Sequence, residues 1–247
     1  MKILSVILQV LWRIWFALMV FIGVIAFAPF FWFFLLNRKW YATFHSFCKM
    51  WSKFILFCSG FYLEVEFEEE LDKTKPYIIC PNHASYLDIP ATFVLFPGVF
   101  VFIGKKSLSK IPVFGWIYKK TMILVDRTSI RSSYMAYQHA SERIKEGVGI
   151  AIYPEGGIPP FETKLRKFKA GAFKMAIEQG VPIVPITFGD NKRRFPSGVM
   201  AGCPGKLRVY VHKPISSEVH DMTSVNDYKK EVYDLIDNKL SEYESRR

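Results

Sequence analysis

From Ile14 to Leu36 the chain carries no charged residue, and this run constrains the fold more than any other feature. A helix crosses the hydrocarbon core of a bilayer in about 20 residues, so residues 14–36 are long enough to lie in a membrane. A cleaved signal peptide is not expected. Its apolar core would be shorter, and no small-x-small site precedes Arg38 and Lys39. Pro29 lacks an N–H and crowds the preceding turn, which predicts a break or kink near Ala28 and a separate piece over residues 30–36.

Residues 37–60 keep helical spacing. Trp40, Phe44, Phe47, Trp51, Phe54 and Phe57 fall on an apolar face, and Arg38, Lys39, Lys49 and Lys53 supply basic groups. Aromatics with long cationic side chains fit a helix lying in the membrane interface. Two anchors fit these residues: a helical hairpin sunk into one leaflet, or a single transmembrane span. Pro29 and the amphipathic second helix favour the hairpin. Basic residues flank both ends of the apolar run (Lys2 and Arg13, Arg38 and Lys39), so charge asymmetry assigns no topology.

Lysine and arginine outnumber the acids 33 to 22, a net charge of +11. Such an excess suits nucleic acid, anionic lipid or a phosphorylated substrate. The apolar N-terminus favours lipid, and the basic residues form no stripe or motif of a nucleic-acid binder. Cys48, Cys58, Cys80 and Cys203 make no CxxC pair, and the five histidines complete no zinc pattern. They read as four reduced thiols, which places a catalytic domain on the cytoplasmic side of the membrane.

Beyond Gly60 the periodicity changes. Phe61, Leu63, Val65 and Phe67 alternate with polar partners, as in a half-buried strand. Further strands are expected over residues 77–80, 99–103, 121–125, 149–153, 181–188 and 207–212. Helices are expected over 86–95, 130–146, 167–179 and 225–243. Gly147 and Gly180 stand where helices end, and Ser224 where the last one begins. The division is an anchor over residues 1–60 and an α/β domain over 61–247, its largely parallel mixed sheet flanked by helices. In such sheets the working residues lie in loops beyond the carboxyl ends of strands.

One of those loops reads Pro81-Asn82-His83-Ala84-Ser85-Tyr86-Leu87-Asp88. A turn entering a helix brings His83 and Asp88 within hydrogen-bond reach. The aspartate would fix one imidazole nitrogen as a donor and leave the other as a base. The chain has no GxSxG elbow. A His-Asp pair without its own nucleophile suits a reaction whose nucleophile arrives on the substrate, such as acyl transfer to an alcohol. A satisfied polar pair at a helix start would use the same residues. Ser85 reads as a small helix-start residue rather than a nucleophile.

Other blocks weigh on that choice. Asn82-His83 with Asp88 resembles the NHxxxxD motif of the glycerolipid acyltransferases. Phe102-Ile103-Gly104-Lys105-Lys106-Ser107-Leu108, then Gly115 and Val125-Asp126-Arg127, is similar to that family's second block. Tyr153-Pro154-Glu155-Gly156-Gly157 resembles its third, and Val181-Pro182-Ile183-Val184-Pro185-Ile186 its fourth, although a buried strand explains the last fully. The four stand in the family's order over residues 60–215.

The resemblance implies His83 as general base, Asp88 as its orienting partner, Arg127 as the ligand of the acceptor's phosphate, with Lys105 a second candidate, and Glu155 and Gly156 lining the acceptor glycerol. It implies transfer of a fatty acyl group from acyl-CoA or acyl carrier protein to the sn-2 hydroxyl of lysophosphatidic acid, with no metal or other cofactor, at the inner (cytoplasmic) membrane. Glycerol 3-phosphate or another lysophospholipid would be the acceptor in a sister enzyme. A non-catalytic protein binding anionic lipid would explain the charge and the anchor but not four ordered blocks. The family often continues its third block with Thr or Ser and then Arg. Here Gly157 and Ile158 stand there, and Lys164, Arg166 or Lys169 are the candidates to replace the missing cation.

Overall fold

The computed structural model describes residues 2–112, 114–197 and 201–246. The first helix, α1 (Lys2–Phe34), contains Pro29 and does not break there. The expected separate piece over residues 30–36 is therefore absent, and packing explains why. After a short 3-10 turn, Arg38–Trp40, the chain returns as α2 (Tyr41–Cys58). Phe30 stacks on Phe47 at 5.1 Å, Phe31 meets Phe44 at 5.4 Å, and Phe34 meets Phe47 at 4.9 Å. An interior proline costs about 3 kcal/mol. Aromatic pairs of this kind each return about 0.5–1.5 kcal/mol beyond their burial, enough in sum to carry the helix through.

The α1–α2 pair is an antiparallel hairpin, with Phe27 against Phe54 near one end and Phe34 against Trp40 near the other. Its second helix buries one stripe against the protein, which shares Phe44 with the apolar face expected to meet the membrane interface. Phe44, His45, Cys48, Ser52, Ile55 and Leu56 are buried, while Phe57 is 83% exposed. The stripe forms because α2 is packed on two sides, against α1 and against α3 (Asp88–Leu95). α1 holds a stretch, Leu4–Phe34, long and apolar enough to cross a membrane and largely uncovered by the rest of the chain, which associates the protein with a membrane.

The rest of the described chain builds a seven-stranded sheet in the order β1-β7-β6-β2-β5-β3-β4. The strands are β1 (Phe61–Phe67), β2 (Ile78–Pro81), β3 (Phe100–Lys105), β4 (Ile123–Val125), β5 (Gly149–Ala151), β6 (Ile183–Phe188) and β7 (Gly205–Val211). All pairings are parallel except β6 with β7. This is the expected α/β class, a mostly parallel mixed sheet flanked by helices. Alternation along the strands divides the core. Ile78, Cys80, Ile150 and Ile183 face α5 (Ile130–Lys145), α6 (Gly171–Gln179) and α8 (Val225–Ser245). Ile79, Phe100, Phe102 and Val184 face the other way, in one cluster with Phe31, Phe44 and Cys48 of the hairpin.

Two short helices, α4 (Phe114–Thr121) and α7 (Asn191–Arg194), stand outside the expected set. α6 begins at Gly171 rather than 167, because the chain before it is held by Lys169 N–H donating to the Pro154 carbonyl. Gly180 ends α6 in the left-handed region, as its position predicts. Ser224 precedes α8, but its hydroxyl bonds within the Asp221 turn instead of capping a helix amide.

Candidate active site

The carboxyl ends of β2, β4, β5 and β6 open on one side of the sheet, and the loops that follow them supply every polar group of the site. After β2, Asn82 ties this edge together. Its Nδ2 donates to Phe188 O at 3.3 Å and its Oδ1 accepts from Phe188 N at 2.7 Å, locking the end of β2 to the end of β6. The chain then turns sharply through His83 to Ser85 and enters α3 at Asp88.

Asp88 is wholly buried. Its Oδ2 lies 2.8 Å from His83 Nδ1 and accepts from the backbone N–H groups of Ala84 and Ser85 at 2.6 and 2.8 Å. Its Oδ1 accepts from Asn191 Nδ2 at 2.8 Å, from the start of α7. A carboxylate that draws this many donors is an acceptor, so His83 Nδ1 carries the proton and Nε2 keeps its lone pair. Nε2 has no hydrogen-bond partner among the described residues, and the side chain retains 13% exposure. The ring lies flat on Tyr153, centroids 3.9 Å apart at 16°. Burial and the nearby Asp88 carboxylate push the Tyr153 phenol well above its ordinary pKa, so it stays a neutral stacking surface.

Ser85 is no nucleophile here. It is wholly buried, and its hydroxyl donates to Phe195 O at 2.6 Å. The Asp88 N–H returns to Ser85 O at 3.2 Å, which makes Ser85 part of the helix entry.

Glu155 is 4% exposed and faces the same loop from behind. One oxygen accepts from His83 N–H at 2.6 Å and the other from Arg166 N–H at 2.9 Å. Burial raises its pKa, and the two amides offset only part of that rise. The carboxylate thus clamps the His83 turn to the loop beyond β5. Gly156, at φ +76°, then turns in a conformation that side chains disfavour. Arg127 Nη1 donates to the Gly156 carbonyl, and a Cβ at Gly156 would meet the Lys169 side chain at 2.9 Å.

Arg127 and Lys169 therefore converge on Gly156. They stand at the rim of a cavity of about 260 Å³ whose floor includes Ile103, Val125, Ala136 and Met175, with Tyr153 in its wall. Lys105, at the end of β3, is exposed and lies outside that wall. Among the three candidates for the missing cation, Lys164 is committed to Asp237 at 2.8 Å and to Ser241 at 2.6 Å on α8. Arg166 contributes its backbone to Glu155. Only Lys169 reaches Gly156. Asn191 escaped the sequence reading altogether. It lies 103 positions from Asp88, at the start of a four-residue helix that no periodicity marks.

A mostly parallel α/β sheet with a histidine–aspartate pair at its carboxyl edge is an arrangement suited to an enzyme that transfers a group to a substrate hydroxyl. The family comparison agrees: the acyltransferase pattern matches residues 62–189, and the chain belongs to the acyltransferase family. A "1-acyl-sn-glycerol-3-phosphate acyltransferase" of Borreliella burgdorferi is 31% identical over 72% of this chain and 70% of its own length. Relatives with the same description from Chlamydomonas reinhardtii and Arabidopsis thaliana are 34% and 30% identical over 57% and 83% of this chain. This chain spans 42% and 58% of those two proteins, about half their length. In fold, it resembles the crystal structure of the Thermotoga maritima "1-acyl-sn-glycerophosphate (LPA) acyltransferase, PlsC", with TM-score 0.83 and 23% identity over 100% of this chain and 99% of that one.

Proposed function

We propose that the protein transfers a fatty acyl group from acyl-CoA or acyl carrier protein to the sn-2 hydroxyl of lysophosphatidic acid, yielding phosphatidic acid for phospholipid synthesis. The observation that carries this reading is the 2.8 Å contact between His83 Nδ1 and Asp88, which leaves Nε2 open and basic. The acceptor's phosphate is held by Arg127 with Lys169, and Lys105 adds positive potential at the neighbouring strand end. A cationic rim above an apolar floor matches the polarity of a single-chain phospholipid. Gly156 allows the acceptor's glycerol to approach the backbone, and Glu155 lines that approach.

His83 Nε2 takes the proton of the free hydroxyl as the oxygen attacks the thioester carbonyl. The C–S bond then breaks, the ester forms, and the imidazolium returns its proton to the leaving thiolate. Asp88 stabilises the imidazolium in between. The step needs neither metal nor covalent acyl-enzyme.

The α1–α2 hairpin anchors the protein in one leaflet of the inner membrane, with the catalytic domain on the cytoplasmic side. Three contacts support this. Trp12 packs on Phe61 and Phe195 at 5.4 and 5.7 Å, and Arg13 donates to Pro196 O at 2.6 Å, so α1 lies against the α/β domain at residues 12 and 13. Residues 1–60 serve as the anchor and 61–247 as the catalytic domain.

Detergent-purified protein incubated with lysophosphatidic acid and each thioester, with the lipid products resolved, tests the reading. Phosphatidic acid is the expected product. Its absence with both donors overturns the assignment.

A further inference from the structure

From the end of β3 to β4 the chain carries a basic, partly apolar surface that, apart from Lys105, the proposed reaction does not use. No acidic residue occurs between Asp88 and Asp126, whereas Lys105, Lys106, Lys110, Lys119 and Lys120 all fall there and are exposed. Amid these lysines stand Leu108 at 39%, Ile111 at 46% and Trp116 at 40% exposure. A soluble surface scatters single apolar side chains, but three within residues 108–116, flanked by Lys105, Lys106 and Lys110, make a patch with a purpose, whereas Lys119 and Lys120 line a separate cavity with Glu142 and Glu146.

This surface is built to hold its shape. The 3-10 turn Lys106–Lys110 is closed by Ser109 Oγ donating to Lys106 O at 2.7 Å. The Gly115 N–H donates to Ile111 O at 2.7 Å, and a Cβ at Gly115 would lie 2.4 Å from Ser109 O. Only glycine lets α4 press this closely on the turn, so Ile111 and Trp116 are presented by a tight, preformed wedge. α4 also packs against α1, which makes the wedge continuous with the apolar anchor.

We infer that this wedge is a second membrane contact, seated on the anionic surface of the same leaflet that holds α1. Aromatic and aliphatic groups enter the headgroup layer while the lysines spread over lipid phosphates. Lys105, Lys106 and Lys110, all exposed, supply the attraction to an anionic surface. The placement also concerns the reaction. Lys105 opens the wedge, and Arg127 lies two residues beyond β4, which closes it. Seated on the surface, the wedge turns the cationic rim of the cavity toward lipid, so an acceptor can pass to Arg127 without crossing water. This last point rests on the proposed acyl transfer, whereas the membrane contact does not. An acidic carrier protein would use the lysines alone and has no call for the apolar tip.

The test places a photoreactive benzoylphenylalanine at Ile111 or Trp116, with Val219, 77% exposed, as control. The full chain is reconstituted in phosphatidylcholine vesicles with and without phosphatidylglycerol, and carrier protein is supplied in a parallel sample. Lipid adducts are expected at 111 and 116, severalfold above those at 219 and rising with phosphatidylglycerol. Equal yields at all three positions, or adducts to the carrier protein in place of lipid, overturn the inference. In turnover, Ile111→Ser with Trp116→Ser raises KM for vesicle-borne acceptor about tenfold, through lost apolar burial. It leaves KM for a soluble short-chain acceptor unchanged, and an equal rise for both acceptors would also overturn the inference. Crosslinking needs no chemistry, so lipid adducts without phosphatidic acid from any variant would refute the acyl-transfer reading while upholding the contact.

Discussion

Among the described residues three histidines stand beside a carboxylate, His83, His212 and His220, and of the first two the less promising set by residue type is the one proposed for catalysis. His212 has Thr187 Oγ1 at 2.9 Å from Nε2 and Glu68 Oε2 at 3.8 Å from Nδ1, a hydroxyl, an imidazole and an acid in series. His83 has only Asp88. Yet Thr187 is wholly buried and His212 is 3% exposed, so no substrate reaches either. Glu68 is too distant to orient the ring by a hydrogen bond. Burial lowers the His212 pKa to about 4, which makes it a poor base at neutral pH. At His83 the geometry is reversed. One nitrogen is tied at 2.8 Å to an acceptor that is itself held by three further donors, and the other nitrogen is open. A base is made by what is left unpaired as much as by what is paired.

The largest expected effect separates the two histidines. His83→Ala lowers kcat by about a hundredfold or more, the usual cost of losing a general base. Asp88→Asn is comparably severe, because an amide at that position can stabilise the wrong tautomer. Equal losses from His212→Gln would erase the distinction.

Next comes the partner that only the structure reveals. Asn191→Leu leaves Asp88 Oδ1 buried without its donor. A hydrogen bond to a charged group is worth about 1.5–3 kcal/mol, so kcat falls about tenfold or somewhat more with the acceptor KM little changed. Asn191→Ser, which restores a donor of shorter reach, recovers part of the loss. A rise in KM alone would make Asn191 a binding residue instead of a positioning one.

Arg127→Ala sharpens the other side of the site. Acceptor KM rises about tenfold, as expected for loss of one charge-assisted phosphate contact, and donor KM does not change. Lys169→Ala has a smaller effect of the same kind. Steady-state kinetics varying each substrate in turn distinguishes this from a role at the thioester.

The strands, the four main helices beyond the anchor, and the facing of His83 toward Asp88 were all legible in local pattern, since a four-residue gap across a helix entry leaves few geometries. What the pattern could not carry was long-range. Pro29 is tolerated because of rings on another helix. Lys164 looks free in the sequence, but α8, more than 70 residues later, claims it. Nothing near Glu155 in the sequence shows that the amides of His83 and Arg166 hold its two oxygens. In each case the deciding partner comes from a distant segment, where spacing carries no signal.

The smallest effect is a change in the pH dependence of stability rather than of rate, and it isolates His212. Its pKa is about 4 when folded and near 6.5 when unfolded, so the unfolded chain binds more protons between those values. Stability from this residue is complete above pH 6.5 and is lost as the pH falls toward 4. At pH 5 the loss is about 2 kcal/mol, because each pH unit within the window is worth about 1.4 kcal/mol. His212→Gln removes the titration. Its thermal midpoint should therefore fall less than the wild type's between pH 7 and pH 5, with kcat at neutral pH unchanged. Only the difference between the two proteins is diagnostic, since other buried groups titrate in both. A wild-type-minus-variant gap that stays constant across this range would mean that His212 takes up its proton as readily folded as unfolded, and the contrast with His83 would then rest on access alone.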